Sequence, residues 1–267
     1  MSKGLLLFAF NNGTTDYFKM AVSTASRAYE FLNLPTTVVT DSNTVLENYN
    51  HNFENVIVID SNNNNRGVHN QIWINKGRYQ AYDLSPYDET LLLDTDYLIN
   101  SNMLLKPFEL YDDFMCHNKV NYLMMPEMGQ EKISKHSFDT LWATVVYFKK
   151  TKKTRLIFDC MKMVQENYQH YLQIYDPTVG FYRNDFALTF ALRMVNGQTE
   201  DPKHYIPWTL THVPKDVTVT ANNNHPFNTS YTLLYDNRTR YKVKKEFINI
   251  KDMDFHMMNK ENFMEVV

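Results

Sequence analysis

Thr90-Leu91-Leu92-Leu93-Asp94-Thr95-Asp96-Tyr97-Leu98-Ile99 is the stretch on which the reading of this chain turns. Its first half is an unbroken apolar run, which predicts a strand buried on both faces of a parallel sheet. The run ends in two acids separated by one residue. Side chains at i and i+2 of an extended segment point the same way, so Asp94 and Asp96 are placed to reach one common partner. Two hard oxygen donors at a strand exit suit a divalent cation such as Mn²⁺ or Mg²⁺, which keeps positions open for water and phosphate oxygens.

Upstream, the apolar run from Leu5 to Phe10 reads as a first strand. Asp16 to Leu32 carries Phe18, Val22, Ala25, Tyr29 and Leu32 at helical spacing. Pro35–Thr40 and Asn55–Ile59 are strand-like and end at Asp41 and Asp60. An Asn-rich loop over 61–65 follows, then a helix over 71–84 with Lys76, Arg78 and Tyr79, then the turn Ser85-Pro86-Tyr87-Asp88. This β-α-β order predicts an α/β, Rossmann-like, doubly wound mixed sheet with helices on both faces. Ligands of such sheets sit beyond the carboxyl ends of the strands. A single aspartate there is an ordinary cap or turn residue. Three of them on one rim, one being paired, point to a site.

Downstream, the pattern predicts helices over Leu104–Phe114, Leu156–Tyr171 and Phe186–Val195, the last opening after Asn184-Asp185. Strands are expected at Tyr122–Met125, Ala143–Phe148, Val217–Thr220, Tyr231–Tyr235 and Phe247–Ile250. No repeat or linker interrupts the chain, so residues 1–267 are expected to form one domain.

Composition narrows the function. Hydrophobic residues make up 43% and charged residues 21% of the 267, as in a soluble globular protein. A net charge of −3 gives no overall basic field toward nucleic acid or membrane. Two basic runs, Lys149 to Arg155 and Arg238 to Lys245, read first as solvated surface. Cys116 and Cys160 form no spaced cluster, which argues against a zinc site or a disulfide framework. The opening apolar run is too short for a signal peptide, and no segment is long enough to span a membrane. A cytoplasmic protein is therefore expected. Only 7 glycines occur, and neither G-x-G-x-x-G nor G-x-x-x-x-G-K-[ST] can be assembled from them. A protein that handles a diphosphate without such a loop needs another source of positive charge, and a cation on the paired acids supplies it.

The segment Lys76-Gly77-Arg78-Tyr79, the turn Leu84-Ser85-Pro86-Tyr87-Asp88 and the strand end Leu91-Leu92-Leu93-Asp94-Thr95-Asp96 resemble the GT-A glycosyltransferases, in particular the glycogenin/galactosyltransferase-like group. That resemblance is specific over residues 71–102 and looser elsewhere. It implies a GT-A fold, with the first hundred residues holding a nucleotide-sugar donor and the remainder the acceptor. It implies a metal held by Asp94, Asp96 and a late His followed by Lys, here His256 and Lys260. It places Phe8, Phe10, Asn11 and Asp41 near the nucleobase, and Thr95, Lys260 and Lys76 or Arg78 at the donor, the metal itself being held by Asp94, Asp96 and His256. Gly180-Phe181-Tyr182-Arg183-Asn184-Asp185-Phe186-Ala187-Leu188 is similar to the group's acceptor-side motif, which makes Asn184 and Asp185 the candidate catalytic residues. The glycine and the Pro-Trp ending that usually accompany the late His are absent.

The implied reaction moves a sugar, from UDP in the leading expectation, to a hydroxyl, with retention favoured. If the anomeric centre inverts, Asp185 is the candidate general base; if it is retained, Asp185 orients the acceptor. The acceptor stays open among protein, glycan and small sugar. The many Asn and Met residues and the compact size point to a viral or bacterial enzyme, which adds hydroxymethylated bases in phage DNA to that set. Two rivals stand beside this reading. A haloacid-dehalogenase-like phosphatase would use Asp94 as nucleophile, although that motif normally opens the chain. A non-catalytic nucleotide-sugar-binding protein would keep the fold without the chemistry.

Overall fold

Alternation along Leu5-Leu6-Leu7-Phe8 sends Leu5 and Leu7 to one side of a sheet and Leu6 and Phe8 to the other, and all four are buried. The run belongs to β1 (Lys3–Phe8) of a computed structural model that describes residues 1–44, 46–60, 75–110, 112–135, 137–177, 180–238 and 243–267. The chain continues through α1 (Tyr17–Leu32), β2 (Thr36–Asp41) and β3 (Asn55–Ile59). A 3-10 segment, Asn75–Gln80, runs into α2 (Ala81–Leu84), followed by β4 (Glu89–Leu93) and the short β5 (Tyr97–Leu98). Then come β6 (Phe114–His117), β7 (Val120–Tyr122), β8 (Trp142–Lys149), α3 (Lys152–Glu166), α4 (Tyr168–Tyr175) and α5 (Asn184–Val195). The last third holds β9 (Leu210–Val213), β10 (Val217–Ala221), β11 (Ser230–Arg238), β12 (Val243–Lys251), β13 (Phe255–Met257) and α6 (Lys260–Val266).

The main sheet has the order β3-β2-β1-β4-β8-β6. Its first four strands are mutually parallel, and β8 runs antiparallel to both β4 and β6. Helix α1 covers one face through Phe18, Ala21, Ala28 and Leu32. Helices α3 and α5 cover the other through Ile157, Phe158, Met161, Leu188 and Leu192. This is the expected α/β architecture with helices on both faces. Because β2, β3 and β4 are parallel, Asp41, Asp60 and Asp94 do share one rim. A second sheet, β5-β13-β9-β7, stands beyond that rim, and β10-β11-β12 forms a third.

Several boundaries differ from expectation for identifiable reasons. The helix expected over Leu104–Phe114 is a 3-10 segment, Met103–Glu109, with Pro107 inside it. Proline removes a donor and stops propagation, and Phe114 is free to open β6. The strand expected at Tyr122–Met125 is shifted to Val120–Tyr122, because Met124 turns the chain with φ 69°. The single helix expected over Leu156–Tyr171 is divided at Asn167 into α3 and α4. Asn184 and Asp185 do not precede α5 but form its first turn, with Arg183 at the cap position. The Asn-rich loop, residues 71–74 and the cations Arg240 and Lys242 lie outside the described residues.

Two buried polar contacts make testable statements about stability. Tyr147 Oη donates to Glu89 Oε2 at 2.5 Å between β8 and β4, and both residues are buried. Tyr147→Phe leaves a buried carboxylate oxygen without its donor and is expected to cost about 1–3 kcal/mol in urea unfolding. A loss below a few tenths of a kcal/mol would show that water replaces the hydroxyl. His117 is fully buried, its Nδ1 sits 2.9 Å from the Trp208 carbonyl, and burial pushes its pKa down to about 4. The folded pKa lies below that of the unfolded chain, so the unfolded state takes up the proton first. Stability is therefore complete above pH ~6.5 and falls as pH drops toward 4, by about 1.4 kcal/mol per pH unit for this group. Urea titrations at stepped pH should show that slope, and His117→Asn should flatten it.

Candidate active site

The two acids are presented by backbone geometry. Asp94 N donates to Thr144 O of β8 at 3.0 Å, and Tyr97 N returns to Asp94 O at 3.2 Å, so β4 closes in a tight turn. Thr95 O accepts the Thr24 hydroxyl of α1 at 2.8 Å, and Asp96 O accepts Met257 N at 3.0 Å. That last bond continues the pairing of β5 with β13, in which His256 lies opposite Tyr97. A histidine 160 positions downstream thereby reaches Asp96, with Nε2 at 3.0 Å from Asp96 Oδ2 and 3.9 Å from Asp94 Oδ2.

Asp94, Asp96 and His256 each offer one ligand atom, and these lie within 4.8 Å of one another. Such a set would hold one divalent ion, each residue giving it one donor atom. Two carboxylates and one imidazole form a donor set that fits Mn²⁺ and tolerates Mg²⁺. His256 Nδ1 stands 3.0 Å from Nδ1 of His212, which β9 presents opposite it. Burial, reinforced by His256 and Arg183, pushes His212 down to about 2, so this ring is neutral. In the contact as it stands Nε2 donates to Asp96; with the proton moved to Nδ1, facing His212, the Nε2 lone pair would meet an ion, the orientation that a metal ligand held from behind requires.

Two cations touch the same acids. Arg78 Nη1 is paired with Asp94 Oδ1, and Lys260 Nζ with Asp96 Oδ2. Burial tends to raise the Asp94 carboxyl, but Arg78, His256 and Lys260 outweigh it and hold it below the usual carboxylate range. Burial likewise lowers His256 against the pull of Asp94, and pushes Lys260 down to about 8. Tyr17, the first residue of α1, lies close enough to feel the Asp94 charge.

The remaining expected residues are distributed as follows. Phe8 and Phe10 are 5% and 4% exposed and pack in the core with Val39 and Ala81. Asn11 Oδ1 accepts Phe18 N at 2.8 Å, and its amide donates to Tyr49 Oη at 2.7 Å. Asp41 is buried and closes a turn by accepting Asn43 N at 3.1 Å. The Lys76 side chain lies outside the described residues. Asp185 Oδ1 accepts Ala143 N at 2.8 Å and its Oδ2 accepts Arg183 Nη2 at 3.0 Å. Arg183 also donates to Glu131 Oε1 at 2.5 Å. Asn184 is buried and accepts the Tyr182 hydroxyl at 3.2 Å. Of the basic runs, Lys150 binds Ser85 O at 2.6 Å, Arg155 pairs with Asp83 at 2.9 Å and Lys244 with Glu246 at 2.9 Å.

Sequence reasoning missed His212, Arg183 and Glu131. Arg183 had a signal, since it adjoins the Asn184-Asp185 pair. His212 had none, because only the pairing of β9 with β13 places it behind His256.

No protein-family model matches the chain, and no curated protein sequence matches it. Among solved structures it is similar to the galactosyltransferase LgtC in complex with donor and acceptor sugar analogues, at 14% identity over 71% of this chain and 70% of that one, with TM-score 0.44. It is similar to mouse xyloside xylosyltransferase 1 at 10% identity over 74% and 83% of the two chains, with TM-score 0.45. It is also similar to the glycosyltransferase GlyE of Streptococcus pneumoniae at 12% identity, with TM-score 0.38, over 77% of this chain and 45% of that one.

Proposed function

We propose that this protein is a metal-dependent glycosyltransferase, which moves a sugar from a nucleoside-diphosphate donor, UDP in the first instance, to a hydroxyl acceptor. One observation carries the reading: Asp94, Asp96 and His256 converge on one point at the carboxyl rim of a parallel sheet, with Arg78 and Lys260 beside them. Asp94, Asp96 and His256 would hold Mn²⁺ or Mg²⁺, which supplies Lewis-acid stabilisation to a departing diphosphate. Arg78 and Lys260 bring two further positive charges to the same place, so that the rim neutralises phosphate oxygens without a glycine loop. The ends of β1 and β2, with Asn11 and Asp41, form the base-binding side, and residues beyond 100 form the acceptor side. Asp185 is held in one orientation by Ala143 N and Arg183, which is in keeping with an orienting role and a retaining course.

The test is turnover of a panel of nucleotide sugars, with and without Mn²⁺, against water, simple sugars, a peptide and hydroxymethylated DNA. Release of UDP that depends on Mn²⁺ is expected. Failure of every nucleotide sugar to bind or turn over in the presence of Mn²⁺ would end this reading.

A further inference from the structure

We propose that Arg78 and Lys260 are resident counter-ions of the metal site. Each occupies one of the two acids while no divalent ion is bound, yields it when the ion enters, and passes to the donor diphosphate, so that ion and nucleotide bind with positive coupling. This rests on the metal-dependent donor reading above.

The observations are of charge and of unmet hydrogen bonds. The two carboxylates are each matched by a cation on the protein itself, Arg78 on Asp94 and Lys260 on Asp96. A divalent ion entering alone therefore adds two positive charges to a site already balanced, in a place screened poorly by water. A diphosphate arriving with it restores the balance. Arg78 is built for that exchange. It is 2% exposed and spends Nη1 on Asp94, while its Nε and Nη2 are buried without a hydrogen-bond partner among the described residues. A guanidinium with two bare donors meets phosphate oxygens in a bidentate fork, which a single carboxylate oxygen does not satisfy. Lys260 stands at the first residue of α6, whose cap is Asn259, and among the described residues it reaches the Met257 carbonyl, at 3.5 Å, besides Asp96. Its ammonium turns on a flexible stem and leaves Asp96 with little disturbance of the backbone.

Coupling of this kind is reciprocal: the factor by which nucleotide tightens metal is the factor by which metal tightens nucleotide. The experiment is Mn²⁺ binding to the full chain, read from the electron paramagnetic resonance signal of free Mn²⁺, with and without UDP. In the wild-type protein UDP is expected to raise Mn²⁺ affinity by about tenfold or more. Lys260→Met and Arg78→Met, placed on different elements so that one failure to fold leaves the other, should each bind Mn²⁺ alone about tenfold more tightly than wild type. Each should bind UDP more weakly and show a coupling factor that falls toward one, whereas Lys260→Arg should keep it. Equal Mn²⁺ affinity with and without UDP in the wild type overturns the proposal while leaving the functional reading intact. So does a folded methionine variant that binds Mn²⁺ no better alone. Absence of Mn²⁺ binding under both conditions overturns the two together.

Discussion

Asp96→Asn is expected to lower Mn²⁺-dependent turnover of the nucleotide sugar by a factor on the order of 10³ while leaving the fold in place. The side chain is 6% exposed and accepts from His256 and Lys260, so it sits at the centre of the cluster rather than at its edge. An amide keeps the shape but offers one weak neutral ligand oxygen where a charged one stood. Asp94→Asn should behave similarly, with some added loss because Arg78 is released from its partner. Circular dichroism and thermal unfolding close to wild type would show that chemistry and not folding was lost. Unchanged turnover in both variants would mean that the acids serve only the local turn.

Gly4→Ala should be strongly destabilising. A Cβ built on Gly4 would meet Cζ, Cε2 and Cε1 of the Tyr87 ring, at 2.5 Å even from the last of these, well inside contact distance. Tyr87 cannot swing away, since its ring is 4% exposed and its hydroxyl is 2.9 Å from Thr37 Oγ1. β1 is an inner strand, paired on both sides, and cannot move without dragging β2 and β4. The cost is expected to reach about 3 kcal/mol in urea unfolding, at the upper end for overpacking. In a Tyr87→Leu background the same alanine should cost far less, and that double-mutant cycle isolates the clash. A loss under about 1 kcal/mol in the wild-type background would show that the turn yields instead. The tyrosine of the Leu84-Ser85-Pro86-Tyr87-Asp88 turn thus serves the structure, lying across a glycine of the first strand and locking the turn that leads into β4.

The parallel half of the fold was legible because its signals are local. β1, β2 and β4 are buried apolar or β-branched runs and β3 is a half-buried one, and β2, β3 and β4 end in an acid that marks the rim. The spacing of Asp94 and Asp96 placed them on one side of the chain, and the scarcity of glycine directed attention to a cation. The remainder of the site is not local. Strands β5 and β13 span two and three residues, too few for any periodicity to register. His256 could be named from resemblance, but its contact with Asp96 and its support by His212 exist only through pairing across the chain. The basic runs were read first as solvated surface, and a row of cations in sequence does not reveal that Lys150, Arg155 and Lys244 find partners on the protein itself. Proline at position 107 did carry a warning against the helix expected there.

The clasp between β5 and β13 has a consequence for timing. It is two residue pairs long, yet it carries His256 and Lys260 to acids that leave the ribosome far earlier. The parallel strands and their covering helices are complete before β13 is made. A nascent chain therefore passes through a stage with the strands and helices of its central layers made and the cluster of acids still without His256 and Lys260. The cluster is therefore complete only once β13 has been made, and an opening of that strand would undo it.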